Sequence, residues 1–233
     1  MKNQESRGGL ILTDFTKREV NNKITQKVSV DTASELDKLD THFIFNALNT
    51  IKCAVLSDSD KACSLINDIG AYMRYSMQNI RKSRCVVFKE EIKYVKSYIN
   101  LQQSRFPGID FICKINDIDF SLPSMSVIFL CENAIRHGFK GTEKRGSIEI
   151  NTWHTGRYHV VQICDNGIGF NTDFIDWNCK YGTLGYIKYQ VENLCNGQLI
   201  LDSINEQGTS VQIKIPLNYQ KQGGKDLNEN NNS

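Results

Sequence analysis

The chain has 233 residues, of which 40% are hydrophobic and 23% are charged, a composition typical of a globular protein with a buried core. Its formal charge of +2 gives no electrostatic case for binding nucleic acid or an anionic membrane. The longest apolar runs, such as VIFLC at 127–131, are too short to span a bilayer, and MKNQESRGG at the start has no signal-peptide core behind it. We therefore expect a cytoplasmic protein that meets a membrane only through a partner.

Residues 1–33 are mixed and polar, which predicts a flexible or partly helical start. A helical period then dominates residues 34–106, with helices predicted near 34–56, near 61–81 and from Phe88 to about 106. Asp58-Ser59-Asp60 supplies a turn and a new N-cap between the first two helices, and Pro107-Gly108 ends the third.

The pattern changes after Pro107-Gly108 to alternating, strand-like runs. They read DFICKI, SIEIN, HVVQIC, QLILDS and SVQIKI, and two more helices are predicted near 124–137 and 185–195. Residues 218–233 form a low-complexity tail that we expect to be disordered. The predicted fold class is α+β, a helical hairpin followed by an α+β domain over residues 107–217.

Eight cysteines are more than average, but none of them forms a C-x-x-C pair. Zinc sites and disulfide frameworks need clustered spacing, and most of these cysteines lie in apolar segments instead. We interpret them as small buried hydrophobes in a reducing compartment.

The first helix contains THFIFNALN at 41–49, with a histidine and two amides along one line. Its predicted buried face comprises Leu36, Leu39, Phe43, Ala47, Ile51 and Ala54, widened by Ile44, Leu48 and Val55. His42 falls on the opposite side with Asn46 and Asn49, beside an exposed aromatic, Phe45, that indicates docking. A lone exposed histidine is usually only a surface residue. An exposed neutral imidazole can also accept a phosphoryl group, with Asn46 orienting it. The helix alone leaves both interpretations open.

A candidate phosphate and metal segment is CENAIRHGFK at 131–140, a predicted helix that ends at Gly138. Asn133 and His137 share one face, and an amide oxygen suits Mg²⁺. Arg136 and Lys140 add positive charge where phosphates would lie. The alternative is a core helix with polar residues on its exposed side.

A candidate purine site is DNGIGF at 165–170, directly after the strand HVVQIC. Strand alternation places Asp165 on the same side as Val161 and Ile163, and a carboxylate there can accept from an adenine amino group. Gly167 and Gly169 let the backbone approach a flat ring. The alternative is a plain D-N-G turn.

Two weaker signals complete the pattern. YGTLG at 181–185 places Gly182 and Gly185 before a helix, where backbone N–H groups can receive phosphate oxygens; it is otherwise an ordinary loop-to-helix junction. Gly208-Thr209 opens the last strand, where Thr209 either holds a water beside Asp165 or simply starts the strand.

Taken in this order, the segments resemble LytS/YehU-type sensor histidine kinases over about residues 34–217. THFIFNALN is similar to that family's P-H-F-L-F-N-x-L-N phosphoacceptor box. Further matches are YMRYS, VVFKEEIKYVKSYINLQQSRF, the run from Pro123 to Gly138, DNGIGF as the first glycine box and GTSVQIKIP as the closing strand.

The resemblance implies a dimerisation and phosphotransfer hairpin at 34–106 and a GHKL-type ATP-binding α/β sandwich with a mixed sheet at 107–217. His42 would be autophosphorylated, Asn46 would orient it and Asn133 would bind Mg²⁺. The implied ATP-binding residues are Asn133, Arg136, His137, Lys140, Asp165, Gly167, Gly169, Gly182, Gly185 and Thr209. The phosphoryl group would pass to an aspartate of a response regulator, in this family usually one with a LytTR DNA-binding domain, and the protein would be a homodimer.

One position favours a kinase over an ATPase, and two departures favour a weaker enzyme. Phe129 stands four residues before Asn133, where hydrolytic relatives of this fold carry a water-activating glutamate. Thr41 replaces the family's proline, and of the second glycine box only Gly182 and Gly185 remain. The alternative is therefore a degenerate kinase that acts as a dimeric signalling scaffold.

Overall fold

A computed structural model describes residues 42–79, 83–139, 145–172 and 182–217. The predictions for residues 1–33 and 218–233, those for Leu36, Leu39 and Thr41 in the first predicted helix, and those for Lys140 and Cys179 lie outside the described residues. Within the described residues, no helix combines the length and the apolar character needed to cross a membrane.

Three helices form the first half of the described chain. They are α1 at 42–57, α2 at Ser59–Asn79 and α3 at Phe88–Arg105. The turn between α1 and α2 is set by Asp58, whose carboxylate accepts a hydrogen bond from the Lys61 N–H at 2.9 Å, as an N-cap does. The prediction of an N-cap in Asp58-Ser59-Asp60 is therefore confirmed.

Aromatic rings join the three helices. The Phe43 ring of α1 lies 4.6 Å from that of Tyr72 of α2 and 5.3 Å from that of Tyr98 of α3, between centroids. The predicted buried face of α1 is confirmed at Phe43, Ala47, Ile51 and Ala54, all less than a tenth exposed. It is wrong at its edge, because Leu48 and Val55 are 50% and 56% exposed.

A five-stranded mixed sheet forms the second half. Its strands are β2 at Ile109–Ile115, β4 at Gly146–His154, β5 at Tyr158–Asp165, β6 at Gln198–Ile204 and β7 at Gly208–Pro216. The spatial order is β2-β4-β5-β7-β6, with β2 parallel to β4 and the other pairs antiparallel. All five predicted strands are confirmed.

Two helices lie against this sheet. Helix α4 spans Ser126–Asn133 and continues as a π-helical turn at Ala134–Gly138, and α5 spans Thr183–Cys195. Helix α4 contacts β5, while α5 contacts β6 and β7. The alternating residues that face the helices are buried, among them Ile148, Ile150, Val161, Ile163 and Ile213. The predicted α+β class, helices followed by an α/β sandwich with a mixed sheet, is confirmed.

A second, two-stranded sheet was not predicted. Strand β1 at Cys85–Val87 pairs antiparallel with β3 at Ser121–Pro123, just before α4. Three residues are too few to establish a period of two, so the sequence pattern carries no signal for them.

The interpretation of the cysteines as buried hydrophobes is wrong for part of the set. Cys131 and Cys195 are buried, whereas Cys53, Cys63 and Cys113 are exposed. Cys53 and Cys63 lie on the outer sides of α1 and α2, where a small side chain costs little whether or not it is covered.

Candidate functional site

His42 is exposed on α1, while its neighbour Phe43 is buried. The side-chain amide nitrogen of Asn46, one helical turn further on, lies 3.0 Å from His42 Nδ1 and 3.2 Å from Nε2. This contact restrains the orientation of the imidazole, and His42 as a whole remains exposed to solvent. Asn49, the other amide of the motif, is also exposed.

Asp165 ends β5 on the interior side of the sheet, as strand alternation predicts. Its Oδ1 accepts a hydrogen bond from the Gly167 N–H at 3.0 Å, and the backbone of Thr209 also donates to the carboxylate. Burial raises the pKa of Asp165, and the two backbone N–H groups oppose this by stabilising the charged form. The residue is thus a half-buried hydrogen-bond acceptor.

Close backbone packing shapes the space around Asp165. A Cβ atom at Gly138 would lie 2.8 Å from Asp165 Oδ1, and one at Gly167 would lie 2.2 Å from the Gly138 carbonyl oxygen. The Ile168 N–H donates to that same carbonyl at 2.9 Å. The end of CENAIRHG and the start of DNGIGF therefore cross each other at two glycines. A side chain at Gly167 would collide with backbone, and one at Gly138 would collide with the Asp165 carboxylate.

The loop after β5 is also fastened to the turn between β6 and β7. Gly169 has a φ of +55°, and a Cβ there would lie 2.0 Å from the Ile204 carbonyl oxygen. Gly208 has a φ of +96°, and its Cβ would lie 1.9 Å from the Asp165 carbonyl oxygen. These contacts fix the loop on the side away from Gly138.

Ser203 is a site residue that sequence reasoning missed. Its hydroxyl lies 3.1 Å from the Gly208 carbonyl oxygen and 2.9 Å from Thr209 Oγ1, and it accepts a hydrogen bond from the Phe170 N–H at 3.0 Å. Thr209 is paired with Asp165 across β5 and β7. One serine inside a strand-like run gives no sequence signal. Only the fold reveals that the Ser203 hydroxyl contacts both the loop after Asp165, at Phe170, and the start of β7, at Gly208 and Thr209.

The candidate phosphate segment follows α4. Asn133 is the last residue of that helix and is partly exposed, and the π-helical turn then carries Arg136 and the exposed His137 to Gly138. The predicted helix end at Gly138 is confirmed. The Arg136 guanidinium pairs with Glu132 at 2.5 Å, so part of the expected positive charge is balanced locally. Such π-helical turns occur frequently at functional sites.

Phe129 occupies the position where a hydrolytic relative would carry its base. Its ring is 4% exposed and packs edge-on against Tyr186 of α5, with centroids 6.4 Å apart. An apolar, covered ring cannot activate water.

The second glycine box opens α5. Gly182 precedes the helix with a φ of +89°, and its carbonyl oxygen accepts the Tyr186 N–H at 3.0 Å. Gly185 lies in the first turn. The segment 173–181 before it is outside the described residues, so the phosphate contacts expected of this box stay a prediction.

Glu91 of α3 connects the two halves and was not singled out by the sequence pattern. Its fully buried carboxylate accepts hydrogen bonds from the Tyr75 hydroxyl at 2.9 Å and from the N–H groups of Met125 and Val127, both at 3.1 Å. The two N–H groups belong to the unpaired start of α4, and Met125 is held there with a φ of +68°. Burial raises the pKa of Glu91 to about 7, against the effect of its three donors.

The structure thus brings together Asp165, Gly167, Gly169 and Thr209, with Gly138 as an added member. Asn133, Arg136 and His137 lie on the segment that leads into this cluster, and His42 and Asn46 stand apart on α1. No three His, Cys, Asp or Glu side chains of the described residues group as a metal site. A single amide at Asn133 fits a magnesium ion that is carried mainly by phosphates and water.

Residues 35–109 match the family model described as histidine kinase. The sensor protein LytS of Streptococcus mutans is 32% identical over 206 residues, which is 81% of this chain and 34% of LytS. YwpD of Bacillus subtilis is 27% identical over 214 residues, which is 85% of this chain and 76% of YwpD.

Among solved structures, the histidine kinase domain of the blue-light-activated kinase of Erythrobacter litoralis is 20% identical with a TM-score of 0.49, and the match covers 82% of this chain and 96% of that domain. The chain spans about a third of the Streptococcus mutans LytS and 24% of the Staphylococcus epidermidis LytS. The family-model match over residues 35–109 and the LytS relatives at about 30% identity support a histidine kinase of the LytS/YehU type.

Proposed function

We propose that this protein is an ATP-dependent protein-histidine kinase of a two-component system. A nitrogen of the His42 imidazole attacks the γ-phosphorus of ATP, an N–P bond forms, and the P–O bond to the leaving ADP breaks. The phosphoryl group then passes to an aspartate of a response regulator. The observation that carries the proposal is the half-buried Asp165 acceptor in its glycine cradle, joined to a hairpin that exposes His42.

The nucleotide end suits a purine. A carboxylate is an acceptor only, and an adenine amino group is a matching donor. Gly138 and Gly167 keep side chains out of the space beside Asp165, which is what a flat ring needs for close approach. Burial has already removed part of the water around the Asp165 carboxylate. A hydrogen bond from a ligand to this carboxylate therefore competes less with water.

The phosphates would follow the π-helical turn towards α5. Asn133 would hold the Mg²⁺ that neutralises phosphate charge, with Arg136, His137 and Lys140 nearby and the N–H groups at Gly182 and Gly185 beyond. Thr209 would support Asp165. Since Phe129 offers no base, attack by water has no assistance at that position, which favours transfer to an incoming imidazole.

The acceptor end suits a reaction with another part of the protein. His42 is exposed, so a separate domain can deliver a phosphoryl group to it, and Asn46 limits its rotation. Phosphoryl transfer depends mainly on positioning and charge neutralisation, and a preset ring orientation contributes to the first.

The hairpin at 34–106 would also dimerise. Apolar side chains face solvent on both helices: Phe45, Leu48 and Val55 of α1 are 63%, 50% and 56% exposed, and Ile66 and Met77 of α2 are 51% and 77% exposed. The spacings of three and seven residues on α1 and of eleven residues on α2 place these side chains on one face of each helix, and a second hairpin would cover them. The proposal also includes ATP binding by the half at 107–217, phosphoryl transfer to a LytTR-type response regulator, and a membrane sensor as the input partner.

The decisive experiment is incubation with γ-labelled ATP and Mg²⁺. We expect acid-labile, alkali-stable label that is absent from His42→Gln. His154→Gln is the matched control, because His154 is also exposed but lies at the far end of β4. Absence of label in the native protein, with or without a regulator, would contradict the kinase.

A second candidate is a dimeric scaffold that binds nucleotide weakly or not at all. The Arg136–Glu132 ion pair and the reduced glycine box favour it. Calorimetry with ATP distinguishes the two, with Asp165→Ala as the test variant and Asp110→Ala, an exposed position on β2, as the control. Micromolar affinity that only Asp165→Ala removes would exclude the scaffold, and absent binding would support it.

A further inference from the structure

The short segment that joins α2 to α3 is anchored at its start. We call residues 83–87 the connector, since they are the described part of the link between α2 and α3. Arg84 donates from Nε and Nη2 to Asn79 Oδ1 at 2.9 and 2.7 Å. Asn79 ends α2 and is 2% exposed, so the connector is held against a fixed helix end.

On its other side the connector contacts α5. Gln190 Nε2 donates to Ser83 Oγ at 2.9 Å, and the Cys85 sulfur lies 3.9 Å from the Leu194 carbonyl oxygen. The Cys85 and Cys195 sulfurs are 2.9 Å apart, although 110 residues separate them in sequence. The helix that follows the second glycine box is therefore docked directly on the link between α2 and α3.

The two thiols differ in access. Neither cysteine is in a disulfide bond; Cys195 has no exposed surface, whereas Cys85 is only half-buried. An oxidant from solvent reaches Cys85 first, and the Cys195 sulfur is close enough to react with the oxidised Cys85 sulfur. This is the arrangement of an attacked thiol and a resolving thiol.

We propose that Cys85 and Cys195 form a reversible disulfide when the protein meets a peroxide or a low-molecular-weight disulfide. With hydrogen peroxide, the Cys85 sulfur attacks one oxygen, the O–O bond breaks, and a sulfenic acid and one water result. The Cys195 sulfur then attacks the Cys85 sulfur, the S–S bond forms, and the second water leaves. Two thiols are oxidised and one peroxide is reduced.

The bond would tie the connector to α5. It closes a loop of about 110 residues, a constraint that acts on the unfolded chain and that also fixes β1 to the C-terminal end of α5. Where it concerns activity, this inference rests on the proposed kinase function. Transfer from bound ATP to His42 needs the two halves to move relative to each other, and the disulfide would join Cys85 of the first half to Cys195 of the second.

Peptide mapping tests the bond itself. The full chain, fully reduced, is treated with hydrogen peroxide or oxidised glutathione, its remaining thiols are blocked, and it is digested with trypsin without reductant. We expect CVVFK, residues 85–89, linked to the peptide 189–214, and released by dithiothreitol. Cys53 and Cys63 are replaced by serine in all samples, because these exposed thiols can join two molecules.

The variants separate this pair from the other cysteines. Cys85→Ser and Cys195→Ser should lose the linked peptide, and Cys164→Ser should keep it. Cys195→Ala repeats the test without placing a hydroxyl in a buried position. Free Cys85 and Cys195 after oxidation, or a stable glutathione adduct on Cys85 beside a free Cys195, would overturn the proposal.

Amide hydrogen exchange tests the tether without requiring any kinase activity. In the oxidised protein we expect slower exchange in residues 83–87 and 190–195 than in the reduced protein, and no such difference in Cys195→Ala. Unchanged exchange in a protein whose disulfide has been mapped would refute the tether. A failed labelling of His42 would bear on the proposed function alone.

Discussion

The proposed phosphoacceptor end, at His42, and the proposed nucleotide end, at Asp165, are built by opposite means. His42 stands in solvent and is oriented by the side-chain amide of Asn46. Asp165 is oriented by backbone N–H groups, and a side chain at Gly167, Gly169 or Gly208 would collide with main-chain atoms around it. An acceptor that another domain must reach has to be open, whereas a pocket for a flat ligand has to be rigid. Substitutions around His42 should therefore leave the fold unchanged, whereas substitutions at the glycines around Asp165 should disturb it.

The largest expected effect lies between the two ends, at Glu91. Glu91→Ala would leave two buried N–H groups of α4 and the Tyr75 hydroxyl without their acceptor, at a cost of about 3–5 kcal/mol in the free energy of unfolding. Urea denaturation measures it. Glu90→Ala, the exposed neighbour that pairs with Lys93, should change stability by less than about 0.5 kcal/mol. Equal effects in the two variants would show that Glu91 does not join the halves.

Glu91 should also make stability depend on pH. Its pKa is about 7 in the folded protein and 4.5 in the reference state, so the folded state binds more protons between these values. Its contribution is complete below pH 4.5 and is lost as the pH rises through 7, by a total on the order of 3 kcal/mol. Denaturation curves across this range should show a decline that Glu91→Gln flattens. A wild-type slope unchanged in Glu91→Gln would assign the dependence to other groups.

Gly167→Ala tests the rigidity of the nucleotide end. The added Cβ would lie 2.2 Å from the Gly138 carbonyl oxygen, and relief requires a backbone shift that costs about 2 kcal/mol. ATP affinity measured by calorimetry should fall at least about tenfold. Gly156→Ala, where no atom lies within 4 Å of the new Cβ, is the matched control. A normal ATP affinity in Gly167→Ala would contradict a rigid nucleotide end.

Asn46→Ala tests the openness of the acceptor end and should have the smallest effect. Without the amide the imidazole rotates freely, and we expect the labelling rate of His42 to fall about tenfold, or about 1.4 kcal/mol, with ATP affinity unchanged. Asn49→Ala, an exposed amide on the same helix, should label at the native rate. An equal loss of labelling rate in Asn49→Ala would assign the effect to the helix surface in general, and not to the contact between Asn46 and His42.

Periodicity predicted those parts of the fold that are long enough to repeat. The five strands of the large sheet and the helices α2 to α5 follow from alternation or from a 3.6-residue period, and the side of the sheet that Asp165 occupies follows from Val161 and Ile163. Strands β1 and β3 are too short for any period, and they were missed for that reason.

The candidate site was predictable only where its chemistry is local. Asp165, Gly167 and Gly169 stand in one motif, and His42 and Asn46 in another. The crossing of Gly138 over Gly167, the hydroxyl of Ser203 and the carboxylate of Glu91 depend on contacts between distant segments, each made by a residue type that is common in other roles. A single sequence carries no trace of such pairs before the chain is folded.

The hydrogen bonds of Glu91 also limit how this protein can be recombined. The Glu91 carboxylate of α3 accepts one hydrogen bond from the Tyr75 hydroxyl of α2. It accepts two more from N–H groups at the start of α4, the helix that ends at Asn133. A chimera that grafts a foreign sensor or catalytic module at the boundary near residue 106 would keep α3 but separate its carboxylate from α4. Such swaps are better joined upstream of Tyr75, so that the hydroxyl, the carboxylate and the helix start are inherited together.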